Sequence, residues 1–309
     1  MLHQRGARQF KFVDRTFNLN IKVSLRILEF FLGRLDDALF LHFEVIPDHL
    51  PDALKAAIQR FPPGSLQFEV GVQTWDPAVQ ERISRRQDNS KTEHNLRWLR
   101  QHSHAHLHTD LIAGLPGETL EQFGAGFDRL IALDPHEIQI GILKRLRGAP
   151  IARHTEAHAM RYNPRPPYNI ACSDVLDFTT LQKLARFARY WDLIGNSGRF
   201  VRSRMLLLAE TPFSNFWSFS VWLHGILGKT HQIASDRLYD LVYRWLIERG
   251  VDTSLATEAV GLDFRDSGTR SIPAFLQHQP IPRSWTSVEA RKSKAPERQM
   301  RHIAGNQKS

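Results

Sequence analysis

The chain has 309 residues, of which 42% are hydrophobic, and this allows one large folded domain with an appendage. No apolar run reaches the roughly 18 residues that a membrane helix needs. No apolar stretch follows the basic amino terminus as in a signal peptide, so we expect a soluble cytoplasmic protein without membrane contact. Cys172 is the only cysteine, which excludes an intramolecular disulfide and any metal site with three or four cysteines of this chain.

The net charge of +9 is unevenly distributed along the chain. In residues 281–309, Lys and Arg outnumber Glu by seven to two, so this segment carries five of the nine net charges. The segment also has few apolar residues, which predicts a disordered basic tail. Because the rest of the chain is only mildly basic, the charge does not favour nucleic acid as a partner.

Between residues 9 and 143, short β-rich runs alternate with amphipathic helical segments. This alternation is typical of a parallel sheet covered by helices, either a barrel or a doubly wound sheet. Right-handed crossovers would place the carboxyl ends of all strands on one side, where ligands bind. The predicted strands cover residues 9–13, 38–45, 66–72, 106–113 and 137–143, and the predicted helices cover residues 21–35, 50–61, 76–85, 91–101 and 119–133.

The pattern changes after Pro150. Amphipathic helices are predicted at residues 174–193 and 235–249, and the aromatic-rich segment between them is best explained as a helical core. We therefore predict three parts: an α/β domain over residues 1–150, a mainly helical extension over residues 151–280, and the basic tail over residues 281–309.

Polar residues recur at or near the carboxyl ends of the predicted strands. Such residues are costly in apolar parallel strands unless they bind something, so we expect them to converge on one ligand. The set comprises Asp14, Thr16 and Asn18 after the first strand, Glu44 in the second, Glu69 and Gln73 at the end of the third, and Asp110 in the fourth.

Successive segments of the first half resemble the strand-end motifs of radical S-adenosylmethionine enzymes. The resemblance implies a partial (β/α)6, TIM-like barrel in which strands 2 to 6 are present, and it is narrowed to members that carry an amino-terminal cobalamin-binding domain. The segments are Phe-Val-Asp-Arg-Thr-Phe-Asn (12–18), Phe-Glu-Val-Ile-Pro (43–47), Glu-Val-Gly-Val-Gln-Thr-Trp (69–75), Ile-Ser-Arg-Arg-Gln-Asp (83–88), Asp-Leu-Ile-Ala-Gly-Leu-Pro-Gly-Glu-Thr (110–119) and Ile-Gln-Ile-Gly-Ile-Leu-Lys-Arg-Leu-Arg-Gly-Ala-Pro (138–150).

The resemblance also implies contacts with S-adenosylmethionine. Glu44 and Gln73 match the residues that bind the ribose hydroxyls, and Arg85 matches the residue that faces the carboxylate, which agrees with the donors and acceptors of these groups. Asp110 matches a further polar contact near the nucleoside. The remaining expected contacts are Ile142 and Leu143, in the segment whose backbone meets the adenine, and Asp14 and Thr16 in the first motif.

The family's three-cysteine loop, Cys-x-x-x-Cys-x-x-Cys, is absent from this sequence. We expect the cobalamin domain, the first strand and the cluster loop to lie upstream of Met1. The complete protein would then use S-adenosylmethionine, a [4Fe-4S] cluster and cobalamin for radical or methyl-transfer chemistry on an unknown small molecule. This chain alone is expected to be inactive, because no cluster would supply the electron that cleaves the sulfonium.

Two other functions stay open at this level. His102, His104, His106 and His108 alternate, so they would share one face of an extended segment and could hold a metal in a hydrolase with a TIM-like barrel. Against this, they precede the strand exit, where catalytic residues of barrels lie. The third possibility is a non-catalytic basic interaction protein that touches nucleic acid through its tail.

Overall fold

The computed structural model describes residues 1–14 and 16–277 of the chain. The described residues fall into two compact units, the first from Met1 to Leu181 and the second beginning at Gln182. No helix in these ranges is long and apolar enough to cross a membrane. The predicted basic tail lies outside the described residues.

The first unit is built on a five-stranded, fully parallel sheet whose strands are neighbours in chain order. A doubly wound sheet would reverse its strand order at one point, so this order is the one of a barrel, and the predicted α/β class with a partial barrel is confirmed. The strands are β1 (Gln9–Lys11), β2 (Phe40–Val45), β3 (Leu66–Gln73), β4 (His106–Ala113) and β5 (Glu137–Ile142), and the intervening helices are α1 (Ile21–Leu32), α2 (Asp52–Ile58), α3 (Pro77–Arg82), α4 (Asn89–His102) and α5 (Leu120–Ala132).

Helix limits follow from local capping. Asp76 and Asp88 accept hydrogen bonds from backbone N–H groups in the first turns of α3 and α4, and Thr119 forms a capping box with Gln122 at the start of α5. The Asp88 cap explains why α4 begins two residues before the predicted start.

The two faces of the sheet differ in polarity because side chains alternate along each strand. Phe43, Phe68 and Val70 are buried on the face that packs with α1, where the rings of Phe10 and Phe31 are 5.0 Å apart. The opposite face, which we call the inner face, carries mainly polar side chains. The inner face includes Lys11, His42, Glu44, Glu69, Gly71, Gln73, His108 and Asp110.

A short antiparallel hairpin follows β5 within the first unit and consists of β6 (Arg161–Tyr162) and β7 (Ile170–Cys172). The predicted domain boundary at residue 150 stays a prediction. The division between the two units falls within α6 (Phe178–Ile194).

The second unit is helical. Phe216 and Phe219 are fully buried, as expected for a helical core. The periodicity did not predict the helices Val201–Leu208 and Thr253–Ser267. After α6 come α7 (Val201–Leu208), α8 (Pro212–Leu227), α9 (Ser235–Glu248) and α10 (Thr253–Ser267).

Candidate cofactor site

Three carboxylates lie on neighbouring rungs of the inner face. Parallel pairing places Glu44 beside Glu69, Glu69 beside His108, and Gly71 beside Asp110. Like charges at such spacing repel one another unless cations or protons compensate them. The compensating groups therefore determine what this face can bind.

Glu69 is the carboxylate that the protein itself neutralises. Its Oε2 lies 3.0 Å from His42 Nε2 and 3.7 Å from Lys11 Nζ. The hydrogen bond from His42, helped by the positive charges of His108 and Lys11, lowers the pKa of Glu69 to about 2. Glu69 is therefore ionised at neutral pH and belongs to an internal ion network.

The pKa of Asp110 is shifted in the opposite direction from that of Glu69. Burial, reinforced by the charges of Glu69 and Glu44, raises the pKa of Asp110 to about 7. Its Oδ1 is buried and accepts no hydrogen bond from any residue that the structure describes, and His108 Nε2 lies 3.7 Å away. A buried polar atom without a hydrogen bond is costly, so this oxygen is suited to accept from a donor on a ligand.

Arg85 brings a buried guanidinium to the same face. Its side chain donates one hydrogen bond to the carbonyl oxygen of Gly71 and another, of 2.9 Å, to Gln87 Oε1. Burial lowers the pKa of Arg85, whereas the charges of Asp48, Asp110 and Glu44 oppose that shift. An arginine stays protonated under these conditions, so Arg85 supplies a fixed positive charge beside the carboxylates.

Gln73 ends β3 in an unusual backbone conformation. Its φ is +69°, and the pairing with β4 shifts register between Gly71 and Gln73. A Cβ atom at position 71 would lie 3.0 Å from Gln73 Nε2, so the amide of Gln73 lies over Gly71. The structure thus brings Glu44, Gln73 and Asp110 to one region, as their place at strand ends predicts, and Arg85 joins them from the loop after α3.

Asp14 and Thr16 form a local turn, and their expected contact with the cofactor stays a prediction. Asp14 Oδ1 accepts hydrogen bonds from the N–H and the hydroxyl of Thr16, at 3.0 and 3.2 Å. In the part of the chain that the structure describes, no contact joins either residue to the inner-face charges. Asn18 is fully buried and bonds to both the N–H and the carbonyl of Ile46, which gives it a structural role.

The backbone N–H and carbonyl of Leu143 both form hydrogen bonds within the protein. Its N–H donates to Ala113 O at 3.0 Å, and its carbonyl accepts from Ile170 N–H at 2.8 Å. Ile142 is the last residue of β5 and pairs with Ala113. A contact of Ile142 or Leu143 with an adenine therefore stays a prediction, and for Leu143 it would use the second lone pair of the carbonyl.

The predicted histidine stripe is corrected by the structure. His102 lies in the last turn of α4 and His104 in the connection to β4, so only His106 and His108 belong to the strand. The helix continues to His102 because its periodic apolar residues pack up to Leu99. No group of three or more His, Cys, Asp or Glu side chains suited to a metal is found among the described residues.

His42, Lys11 and His108 contact the carboxylates of this site but were not predicted for it from the sequence. The signal was available, because both His42 and Glu44, two residues apart, alternate with buried apolar residues in β2. Lys11 could not be assigned in this way, since β1 has only three residues.

We expect the pKa of Asp110 to fall below its value of about 7 in a Glu69→Gln variant, because the negative charge that helps to raise it is removed. A carboxylate titration by ¹³C NMR measures this directly. Glu93→Gln is a suitable control, since Glu93 on α4 does not contribute to the pKa of Asp110. An unchanged or raised pKa in Glu69→Gln would contradict the charge coupling described above.

Three comparisons relate this chain to known proteins. A family described as "Protein of unknown function (DUF4080)" matches residues 156–308. An oxygen-independent coproporphyrinogen III oxidase from Thermostichus vulcanus is 32% identical over 77 residues, which are 25% of this chain and 24% of that protein. The chain thus spans about a quarter of the length of this relative.

One similar solved structure is the radical S-adenosylmethionine methyltransferase TsrM from Kitasatospora setae, with tryptophan and a cofactor analogue bound. The match has a TM-score of 0.45 and 20% identity, and it covers 54% of this chain and 34% of that chain. Coproporphyrinogen III oxidase from Escherichia coli, a radical S-adenosylmethionine enzyme, has a TM-score of 0.37 and 24% identity over 44% and 32% of the two chains. The sequence relative from Thermostichus vulcanus carries the same enzyme name as this second structure.

Proposed function

Because this chain resembles radical S-adenosylmethionine enzymes, we propose that its inner face binds the nucleoside and carboxylate parts of S-adenosylmethionine. The observation that carries the proposal is the buried Oδ1 of Asp110, which accepts no hydrogen bond from the described residues and lies in a region that also holds Glu44, Gln73 and Arg85. An acceptor in this condition fits a ligand that brings hydroxyl or N–H donors.

Each group of the cofactor has a chemically matched residue on this face. The vicinal ribose hydroxyls donate to the carboxylate of Glu44 and the amide oxygen of Gln73. The carboxylate of the methionine part pairs with Arg85, whose charge is held in place by its bond to Gly71. Asp110 accepts a further donor of the nucleoside, and a ligand donor there stabilises its ionised form.

The residues of this chain do not fit a [4Fe-4S] cluster, since Cys172 is the only thiol. In the proposed complete enzyme, the cluster and cobalamin are held by other segments. When bound, they supply the electron and the methyl carrier for radical or methyl-transfer chemistry. The part assigned to this chain is to bind and orient the cofactor at the carboxyl edge of the sheet.

The test is binding of S-adenosylhomocysteine, which keeps the nucleoside and carboxylate, to the full chain by isothermal titration calorimetry. We expect Glu44→Gln and Gln73→Gly each to weaken binding about 10-fold or more, because a hydrogen bond to a charged or buried partner contributes roughly 1.5–3 kcal/mol. Glycine is chosen at position 73 because it accepts the φ of +69° without strain.

Two matched controls separate lost contacts from general damage. Gln232→Gly removes a glutamine that also has a positive φ, of +54°, in the second unit. Glu121→Gln neutralises an exposed carboxylate in the first turn of α5. The proposal fails if the folded wild-type chain does not bind the ligand at millimolar concentration, or if the controls weaken binding as much as the site variants.

A further inference from the structure

The turn that ends α3 brings Arg85 to the inner face. Ser84 N–H donates to Glu81 O at 2.9 Å, and Ser84 has a left-handed φ of +58°. Arg85 N–H donates to Gln80 O at 2.8 Å. These two bonds and the left-handed residue form a Schellman motif. The motif reverses the chain after the helix, so that the side chain of Arg85 reaches the carbonyl of Gly71.

The sequence of this turn does not stabilise it by itself. The left-handed position of a Schellman motif is usually a glycine, because a side chain is strained there, and Ser84 occupies it here. In addition, no backbone N–H in the part of the chain that the structure describes donates to the carbonyl of Arg82, the last residue of α3. A strained turn persists when the surrounding structure holds it, so contacts from outside α3 decide its geometry.

Arg153 supplies contacts to both of these groups. It lies after β5 in a short 3₁₀ helix, Pro150–His154, within the first unit. Its Nη2 donates to Arg82 O at 2.9 Å and to Ser84 Oγ at 2.6 Å. His154 Nε2 also lies 2.8 Å from Arg82 O. One guanidinium thus bonds at once to the last carbonyl of the helix and to the left-handed residue.

The guanidinium of Arg85 is oriented by the protein, and one of its nitrogen atoms stays available. Its Nε donates to Gln87 Oε1 at 2.9 Å, and its Nη2 donates to Gly71 O. No described residue accepts a hydrogen bond from its Nη1. A carboxylate pairs well with a guanidinium only when the planes and directions of the two groups match. The position of the turn therefore determines how well Nη1 can meet a carboxylate.

We propose that Arg153 is a positioning residue for Arg85: it holds the turn after α3 and thereby makes the site selective for ligands that carry a carboxylate. The inference rests on the proposed function, which pairs Arg85 with the carboxylate of the methionine part. Glu44 and Gln73 lie on the strands and have no contact with Arg153 among the described residues. Loss of Arg153 should therefore weaken the carboxylate contact and leave the nucleoside contacts intact.

Two ligands that differ in one part separate positioning from general damage. S-adenosylhomocysteine has the nucleoside and the carboxylate, whereas 5′-methylthioadenosine has the nucleoside without the carboxylate. Both are titrated into the full chain by isothermal titration calorimetry. We expect Arg153→Ala to bind S-adenosylhomocysteine about 5-fold or more weakly than wild type, and 5′-methylthioadenosine within about 2-fold of wild type. A residue with only a structural role would affect both ligands alike.

Arg100→Ala is the matched control. Arg100 Nε donates to Asp134 O at 2.6 Å, and Arg100 Nη2 donates to Asp134 Oδ2 at 2.8 Å. Asp134 follows α5 and has a positive φ of +47°. Arg100 thus holds a left-handed residue after a helix, as Arg153 does, but at a turn without a predicted cofactor contact. We expect this variant to bind both ligands within about 2-fold of wild type.

A rescue variant distinguishes positioning from a direct charge effect of Arg153 on the ligand. Glycine accepts the φ of +58° without strain, so in Ser84→Gly the turn depends less on Arg153. We expect the double variant Ser84→Gly, Arg153→Ala to bind S-adenosylhomocysteine at least about 3-fold more tightly than Arg153→Ala alone. A direct attraction between Arg153 and the carboxylate would give no rescue, because the charge is missing from both variants.

The order of the Arg85 side chain without ligand is an independent measurement. We expect the ¹⁵N relaxation order parameter of Arg85 Nε–H to fall in Arg153→Ala and to stay unchanged in Arg100→Ala. Equal weakening of both ligands, no rescue by Ser84→Gly, or an unchanged order parameter in Arg153→Ala would overturn the inference. If wild type binds neither ligand while the order parameter still depends on Arg153, the proposed cofactor site is wrong and the positioning of Arg85 stands.

Discussion

At pH 9, we expect a Glu118→Gln variant to be more stable than the wild-type chain by about 3–4 kcal/mol, whereas at pH 5 it is equally stable or about 1 kcal/mol less stable. Few single substitutions at a buried charge are expected to stabilise a protein. The reason lies in the environment of the Glu118 carboxyl.

Glu118 is only 2% exposed, in the turn between β4 and α5. Thr74 Oγ1 donates to its Oε1 at 2.5 Å, while its Oε2 is buried and has no hydrogen-bond partner among the described residues. Burial, opposed by the Thr74 hydrogen bond and reinforced by the charge of Asp76, raises the pKa of Glu118 to about 8 from its usual 4.5.

The sign of the pH dependence follows from proton binding. Between pH 4.5 and about 8 the folded chain holds a proton on Glu118 that the unfolded chain has released, so this residue's contribution to stability falls as pH rises through that window. At 1.36 kcal/mol for each pKa unit, the shift from 4.5 to about 8 corresponds to a loss of about 5 kcal/mol above pH 8. A glutamine does not titrate and escapes this loss, but its buried amide costs roughly 1–2 kcal/mol.

Urea unfolding at pH 5 and at pH 9 measures the free energy of unfolding of both the wild type and the variant. Glu121→Gln serves as the control, because Glu121 lies three residues away and is exposed. A Glu118→Gln variant that loses the same stability as wild type between the two pH values would show that Glu118 is ionised in the folded chain.

The second large effect is expected at Gly114, which follows β4. A Gly114→Ala variant should lose about 3 kcal/mol of unfolding free energy. The φ of +90° at position 114 is strained for any residue with a side chain, and this strain costs roughly 1 kcal/mol. The new Cβ would lie 2.7 Å from Ile170 Cγ2, and Ile170 is 1% exposed, so relief requires a shift in a packed region at a cost of about 1–3 kcal/mol.

A double-mutant cycle separates these two causes. In an Ile170→Ala background the overlapping methyl group is gone, so adding Gly114→Ala should cost only the backbone strain. Gly148→Ala is the matched control, because Gly148 has a φ of +78° and an added Cβ there would meet no neighbouring atom within 4 Å. If Gly114→Ala costs no more than Gly148→Ala in thermal or urea unfolding, the steric account is wrong.

The order of strands and helices in the first unit was predictable because two local signals agree. Apolar periodicity distinguishes strands from helices, and residues such as Asp76 and Thr119 mark the helix starts. The predicted third and fourth strands, for example, match β3 and β4 to within one residue. The division near Leu181 had no comparable signal, because it falls inside a continuous helix.

The candidate site was predictable in part from the same apolar periodicity of the strands. Glu44, Gln73 and Asp110 attract notice because each interrupts or ends an apolar strand, and parallel pairing must then bring them to one edge. Asp14 and Thr16 share that sequence context, yet they bond to each other in a turn. The sequence context they share with the other residues did not predict this turn, and their contact with the cofactor stays a prediction.

The sequence by itself determined the superfamily resemblance, the parallel α/β class and the absence of cluster thiolates, because each depends on residue type and short-range spacing. Only the tertiary structure decided the charge state of the inner face. The low pKa of Glu69 and the high pKa of Asp110 arise from groups 27 to 66 residues apart in the chain, brought together by strand register and burial. Electrostatic interactions depend on distance and desolvation in space, and neither quantity can be read from a linear sequence.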